Sequence, residues 1–277
     1  MRTIELAGDL YPEVLALARL AGERILEIYQ MDFAIEKKAD RSPLTLADLE
    51  AHRILKAGLS TLSPRWPVLS EEDTAIPWQE RRNWPCYWLI DPLDGTREFV
   101  KRNGEFTVNV ALVEHGKAIF GVIHAPVLEE SYFGLLGVGA FSARHTNPWR
   151  RLCCRPAGHA MPRVLASRSH SDTRLEQFIE QLGPHERLGL GSSLKFARIA
   201  AGEADVYVRL GPTSEWDTAA GQCILEAAGG SVTTLDFKRL QYNQKPSLYN
   251  PFFIAFGDRK FLPDQLELAP GPGPSRR

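Results

Sequence analysis

The chain has 277 residues, with 33 Lys and Arg against 34 Asp and Glu, 44% apolar and 24% charged residues. This composition excludes a disordered or fibrous chain, and a formal net charge of −1 provides no overall field for capturing nucleic acid or an anionic membrane surface. The length corresponds to about two domains, no apolar run approaches the roughly 18 residues of a membrane span, and Cys86, Cys153, Cys154 and Cys223 make no C-x-x-C pair, so a reduced, cytoplasmic protein is expected.

Leu10, Val14, Leu17, Ala21, Ile25 and Ile28 recur at helical spacing and predict one long amphipathic helix over the first thirty residues. A second helix is predicted where Thr45 precedes Leu46, Leu49, Ile54, Leu55, Leu59 and Leu62, with Asp48 in the position of a capping-box acid; Pro64 and Pro67 end it. Short apolar runs at 68–70, 87–90, 107–113 and 118–124 then predict strands, the last two joined as a hairpin across Glu114-His115-Gly116-Lys117. Residues 132–133 and 140–141 add two more, which puts paired helices on a largely antiparallel sheet. The polar, Pro-containing stretch 148–162 predicts a junction between an α+β domain, 1–150, that carries most candidate metal ligands, and an α/β domain, 151–265. In the second domain, strands at 164–166, 205–208, 231–234 and 252–255 alternate with helices at 173–182, 194–201 and 217–228. The Pro/Gly-rich tail 266–277 is expected to be disordered.

The chemistry concentrates in Trp88-Leu89-Ile90-Asp91-Pro92-Leu93-Asp94-Gly95-Thr96, where an apolar strand delivers two carboxylates into a turn fixed by Pro92 and opened by Gly95. Asp91, Asp94 and the Leu93 backbone carbonyl offer the oxygen ligands that a hard divalent cation takes. The same residues also make an ordinary strand-ending turn. Two further segments bear on the choice: Ser70-Glu71-Glu72-Asp73 after a strand, and Trp216-Asp217-Thr218-Ala219-Ala220 at a helix start. Taken alone, an acidic triplet after a strand is usually solvated surface and an acid at a helix start is usually a cap or dipole partner.

Together, in this order, the three segments resemble the metal-dependent phosphatase family of inositol monophosphatase, fructose bisphosphatase and the bisphosphate nucleotidases. The resemblance runs from about Leu10 to Gly257. Asp94-Gly-Thr-Arg-Glu-Phe-Val-Lys-Arg-Asn-Gly-Glu-Phe-Thr-Val-Asn109 and Gly191-Ser-Ser-Leu-Lys-Phe196 are similar to the CysQ-type 3′(2′),5′-bisphosphate nucleotidase branch, whereas inositol monophosphatases read Thr-Asn-Phe where Arg97-Glu98-Phe99 stands here. The resemblance implies an α/β layered αβαβα sandwich. It also implies Mg²⁺ held by Glu71, Asp91, Asp94, Asp217 and the Leu93 carbonyl, water activation by Asp48 and Thr96 with Glu71, phosphate held at Gly95, Thr96 and Asp217, and inhibition by lithium.

On the leaving-group side the implied contacts are Ser167 and His170, with Ser192, Lys195 and Arg209. The two cations suit a second, non-scissile phosphate. Other roles fit each of these: Ser169 or Ser171 as a helix cap, Lys195 on a solvated helix face, Arg209 paired with a surface acid. The chain has no G-x-x-x-x-G-K-[ST] loop, no G-x-S-x-G elbow and no H-E-x-x-H, and Gly134-Leu-Leu-Gly-Val-Gly139 reads as hairpin turn chemistry. The expected activity is hydrolysis of the 3′-phosphate of adenosine 3′,5′-bisphosphate, a small-molecule substrate, to AMP. Inositol monophosphatase or fructose 1,6-bisphosphatase activity, and a non-catalytic phosphometabolite-binding role, are the alternatives.

Overall fold

A computed structural model describes residues 2–31, 43–158, 161–166 and 173–263; the 266–277 tail, Ser167 and His170 lie outside the described residues. The first thirty residues form two helices, α1 (Arg2–Asp9) and α2 (Tyr11–Gln30), rather than one. Pro12 is the cause: it lacks an N–H and its ring crowds the carbonyl four residues back, so the helix restarts at Tyr11 with Pro12 in its first turn. The predicted stripe survives, and α2 buries Val14, Leu15, Ala18, Ala21, Gly22, Ile25 and Ile28. Helix α3 (Pro43–Thr61) begins two residues before Thr45. Thr45 is therefore inside the helix and Asp48 is in its second turn, so Asp48 is no capping-box acid.

Strands β1 (Val68–Ser70), β2 (Cys86–Asp94), β3 (Thr107–Glu114), β4 (Lys117–Ala125), β5 (Glu130–Leu135), β6 (Gly139–Arg144) and β7 (Arg150–Leu152) form a seven-stranded sheet in sequence order, with only the β1–β2 pair parallel. Short helices α4 (Trp78–Arg81) and α5 (Thr96–Val100) flank β2. The β3–β4 hairpin turns at His115 and Gly116, both at positive φ, as a two-residue loop requires. Residues 136–138 turn β5 into β6, so the Gly-rich stretch is a hairpin loop.

A second sheet has the order β11-β12-β10-β8-β9, built from β8 (Arg163–Ala166), β9 (Glu186–Gly189), β10 (Val206–Arg209), β11 (Ser231–Thr234) and β12 (Phe253–Phe256), with helices α6 (Thr173–Gln181), α7 (Leu194–Ala200) and α8 (Ala219–Ala227) between them. Strand β9 is a sheet edge with mostly exposed side chains, so it carries no apolar alternation that sequence reading can detect.

Side chains alternate across β2: Trp88 and Ile90 join the core with α2 and α3, and Tyr87 and Leu89 join the core with α7 and α8. That second core also takes in Leu165, Tyr207, Val232 and Phe253 from the second sheet. Phe178, Ile179 and Leu175 of α6 cover the remaining face of the second sheet. The order is thus helices, sheet, helices, sheet, helix, the αβαβα sandwich. Two glycines let α8 approach the first sheet closely: a Cβ at Gly121 would stand 2.5 Å from the Ala220 carbonyl, and one at Gly134 would stand 2.6 Å from Ile224 Cα. No described helix is long and apolar enough to cross a membrane.

Candidate active site

The parallel pairing of β1 with β2 runs Val68 beside Trp88, Leu69 beside Leu89 and Ser70 beside Ile90, so one step further the chain carries Glu71 out beside Asp91. The Glu71 N–H donates to the Ile90 carbonyl at 3.3 Å, continuing the ladder. Helix α3 braces this strand end: His52 Nδ1 lies 2.8 Å from Ser70 Oγ, and Lys56 pairs with Asp73. Pro92 has no N–H to give the β2–β3 ladder, and the register shifts between the pairs Asp91–Asn109 and Asp94–Thr107. This bulge re-aims the strand end, and the Leu93 N–H turns inward to Asp91 Oδ1 at 3.1 Å. Gly95 follows at φ 97° and starts α5 at Thr96. A side chain there would be strained in φ and 3.2 Å from the Glu105 carbonyl.

Asp217 arrives from the other sheet, in the turn that precedes α8, held by the Ser214 N–H at 2.8 Å. Oxygens of Asp91, Asp94 and Asp217 lie within 4.8 Å of one another. The charges of Glu71, Asp94 and Asp217 all act on Asp91. Burial, reinforced by mutual repulsion, pushes Glu71 up to about 7 and Asp217 up to about 8, and raises Asp91 and Asp94 as well. Asp48 is also pushed up to about 8, by burial first and then by the charges of Glu72 and Glu71.

Among the described residues, no Lys or Arg forms an ion pair with Glu71, Asp91, Asp94 or Asp217. Buried carboxylates at such spacing are stable as anions only with a counter-cation. An all-oxygen set of this kind fits a hard divalent ion.

These acids line one wall of a cleft of about 270 Å³, near the lower end of small-molecule sites. Ser192, Ser193, Lys195, Tyr207, Arg209 and Thr213 also line it. Lys195 is not on a solvated helix face: it is 6% exposed, donates to the Ser192 and Leu190 carbonyls at 2.7 and 3.2 Å, and sits 5.1 Å from the Tyr207 ring centroid. Burial pulls its ammonium down to about 8, with Asp94 opposing and Arg209 adding to the shift. Arg209 donates to the Pro212 carbonyl at 3.1 Å and has no acid partner among the described residues; its Nε is buried without a partner.

The structure therefore brings Glu71, Asp91, Leu93, Asp94, Gly95, Thr96, Ser192, Lys195, Arg209 and Asp217 to one cleft. Asp48 is not among the residues lining the cleft; its charge acts on Asp91, and no hydrogen bond joins it to Thr96. Sequence reading missed the support of Asp94: the Ser193 N–H donates to Asp94 Oδ2 at 2.5 Å, and Ser193 Oγ reaches Asn109 at 2.7 Å and Thr107 at 2.8 Å. It also missed Thr213, whose Oγ1 is buried in the cleft wall without a partner, and Glu98, a buried carboxylate on the same wall as Gly95. Ser193 alone had a signal, its place in the quoted Gly-Ser-Ser-Leu-Lys stretch.

Comparison with known proteins agrees with this geometry. The model of the inositol monophosphatase family matches residues 9–257. The 3′(2′),5′-bisphosphate nucleotidase CysQ of Escherichia coli K12 is 46% identical over 255 residues, covering 87% of this chain and 97% of that one; the Haemophilus influenzae CysQ is 37% identical, covering 93% and 96%. The crystal structure of CysQ from Bacteroides thetaiotaomicron superimposes with a TM-score of 0.80 at 40% identity, covering 88% of this chain and 96% of that one. With its acids converging from β1, β2 and the start of α8, and with the family model matched over most of its length, the chain belongs to the inositol monophosphatase family.

Proposed function

We propose that this chain is a Mg²⁺-dependent 3′(2′),5′-bisphosphate nucleotidase that hydrolyses the 3′-phosphate of adenosine 3′,5′-bisphosphate to AMP and phosphate. One observation carries the reading: a single cleft joins an unneutralised acid cluster to a buried lysine and an arginine, so a cation-bridged phosphate and a second anionic group can be held at once. The names of the CysQ relatives point the same way. Cytoplasmic location and lithium inhibition belong to the same reading.

When bound, the divalent ion supplies Lewis acidity at the phosphate and makes a water more acidic. Glu71, Asp91, Asp94, Asp217 and the Leu93 carbonyl hold it. The N–H groups of Gly95 and Thr96, at the start of α5, orient the scissile phosphate. Thr96 would pass the water's proton on to the carboxylate of Glu71 or Asp48 as the water oxygen bonds to phosphorus and the bond to O3′ breaks; the departing oxygen takes a proton from solvent and leaves as a hydroxyl of AMP. Lys195 and Arg209, with Ser192, hold the 5′-phosphate, and Ser167 and His170 complete the nucleotide side. No protein nucleophile is required.

Phosphate release from adenosine 3′,5′-bisphosphate, inositol 1-phosphate and fructose 1,6-bisphosphate, each with Mg²⁺ and with excess chelator, tests the proposal. The expected result is metal-dependent turnover with the highest kcat/KM on the nucleotide. A preference for inositol 1-phosphate, or full activity in chelator, refutes it.

A further inference from the structure

Glu98 has no part in the chemistry outlined above. It is the third residue of α5, 7% exposed, and it lines the cleft. Among the described residues no donor reaches its carboxylate, and the Gly95 N–H, which an acid at this helix position often accepts, does not bond to it. The Glu98 carboxylate can therefore accept a hydrogen bond from a group bound in the cleft. The side chain is also held in place rather than loose. A Cβ at Gly191 would land within contact of Glu98 Cγ and 3.0 Å from its Cδ, so the chain keeps a glycine opposite it, and the Gly191 N–H is tied to Glu105 Oε2 at 2.8 Å.

Glu98 lines the cleft together with Gly95 and Thr96, with its Cγ and Cδ against Gly191. Its charge acts on both Asp94 and Lys195, which line the same cleft. A phosphate ester seated on Gly95 and Thr96 brings to that spot the substituent on the carbon next to its ester oxygen. A hydroxyl there donates to Glu98; a second anion there is repelled.

We propose that Glu98 is a specificity-determining residue that accepts a hydrogen bond from a hydroxyl vicinal to the scissile phosphate, so that the site selects ribose phosphate esters with a free neighbouring hydroxyl. The proposal rests on the nucleotidase reading and deepens it by naming what the enzyme recognises beside the reacting group.

The test is kcat/KM for adenosine 3′,5′-bisphosphate and for its 2′-deoxy analogue, in the parent, Glu98→Gln and Glu98→Ala. A hydrogen bond to a charged acceptor corresponds to roughly tenfold or more, so the parent should favour the ribonucleotide by at least that factor. Glu98→Ala should lose this advantage through the ribonucleotide alone, bringing the ratio near one, and Glu98→Gln, which fills the same space and keeps one acceptor oxygen, should retain part of it. A parent indifferent to the hydroxyl, or variants that lose both substrates equally, would overturn the assignment while leaving a working nucleotidase. Absence of parent turnover on either nucleotide would overturn the nucleotidase reading, and this one with it.

Discussion

Replacing Asp94 by Asn should separate the two consequences of crowding acids together. Asp94 Oδ2 accepts the Ser193 N–H, and its charge is among the causes that raise Glu71 and Asp217. Two unit charges at the 4.8 Å limit of this cluster repel by about 3 kcal/mol at an effective dielectric constant near 20. The amide relieves that repulsion and weakens a hydrogen bond worth about 1 kcal/mol, so the metal-free variant should gain about 1–2 kcal/mol over the parent at about pH 8.5. The sign follows from the direction of the shifts. Glu71 and Asp217 keep their protons to about 7 and about 8 in the folded chain, above unfolded carboxyl values near 4. Stability from such groups is complete below about pH 4 and is lost as pH rises through 7 and 8. At about pH 5.5 Glu71 and Asp217 keep their protons, so Asp94 meets no charge from them and the gain should vanish. Urea denaturation in excess chelator at both pH values, beside phosphate release at saturating Mg²⁺, reads both effects. The variant should lose nearly all turnover. A metal-free variant less stable than the parent at the higher pH, or one with substantial turnover, refutes the reasoning.

Lys195→Ala should lower kcat/KM for adenosine 3′,5′-bisphosphate at least tenfold and barely change hydrolysis of a small monophosphate; an unchanged ratio of the two removes Lys195 from the nucleotide site. Thr96→Ala and Asp48→Asn should each reduce kcat more than they raise KM, because a proton relay acts on the transition state; intact turnover in Asp48→Asn assigns that acid to structure alone. Gly191→Ala forces a Cβ to within 2.9 Å of the Glu105 carbonyl, and overpacking of this kind costs about 1–3 kcal/mol, so the urea midpoint should fall and activity with it, since the same loop aims the Ser193 N–H at Asp94. A midpoint equal to the parent's shows that the loop yields freely.

What sequence reading recovered was what local chemistry encodes. The β3–β4 hairpin is written in two apolar runs flanking His115-Gly116, and Asp91, Pro92 and Asp94 announce a strand that ends in a bulged turn. The break at Leu10 was written too, in Pro12, but the apolar stripe continues across it and hides it. Other features had no local trace. The Ser193 bond to Asp94 joins residues 99 apart, and no periodicity marks such a pair. Lys195 and Glu98 are charged residues at ordinary helical positions, and burial of either follows only from how α5 and α7 face each other across the cleft. Strand β9 pairs through its backbone while its side chains stay wet, so hydrophobic pattern says nothing about it.

The placement of α8 also sets a schedule for making the protein. This helix lies by sequence in the second half but covers Ala111, Val113, Ile123 and Tyr132 of the first sheet. A ribosome that has delivered β7 must add about 75 residues before α8 is complete, about 4–15 s at ~5–20 residues per second. For most of that interval, until α7 and then α8 are made, the nascent sheet presents an apolar face that these helices have yet to cover. Truncation between β10 and α8 should therefore yield material that sticks to holdase chaperones or precipitates, and the last third of the chain decides whether the first two thirds leave the ribosome in a soluble state.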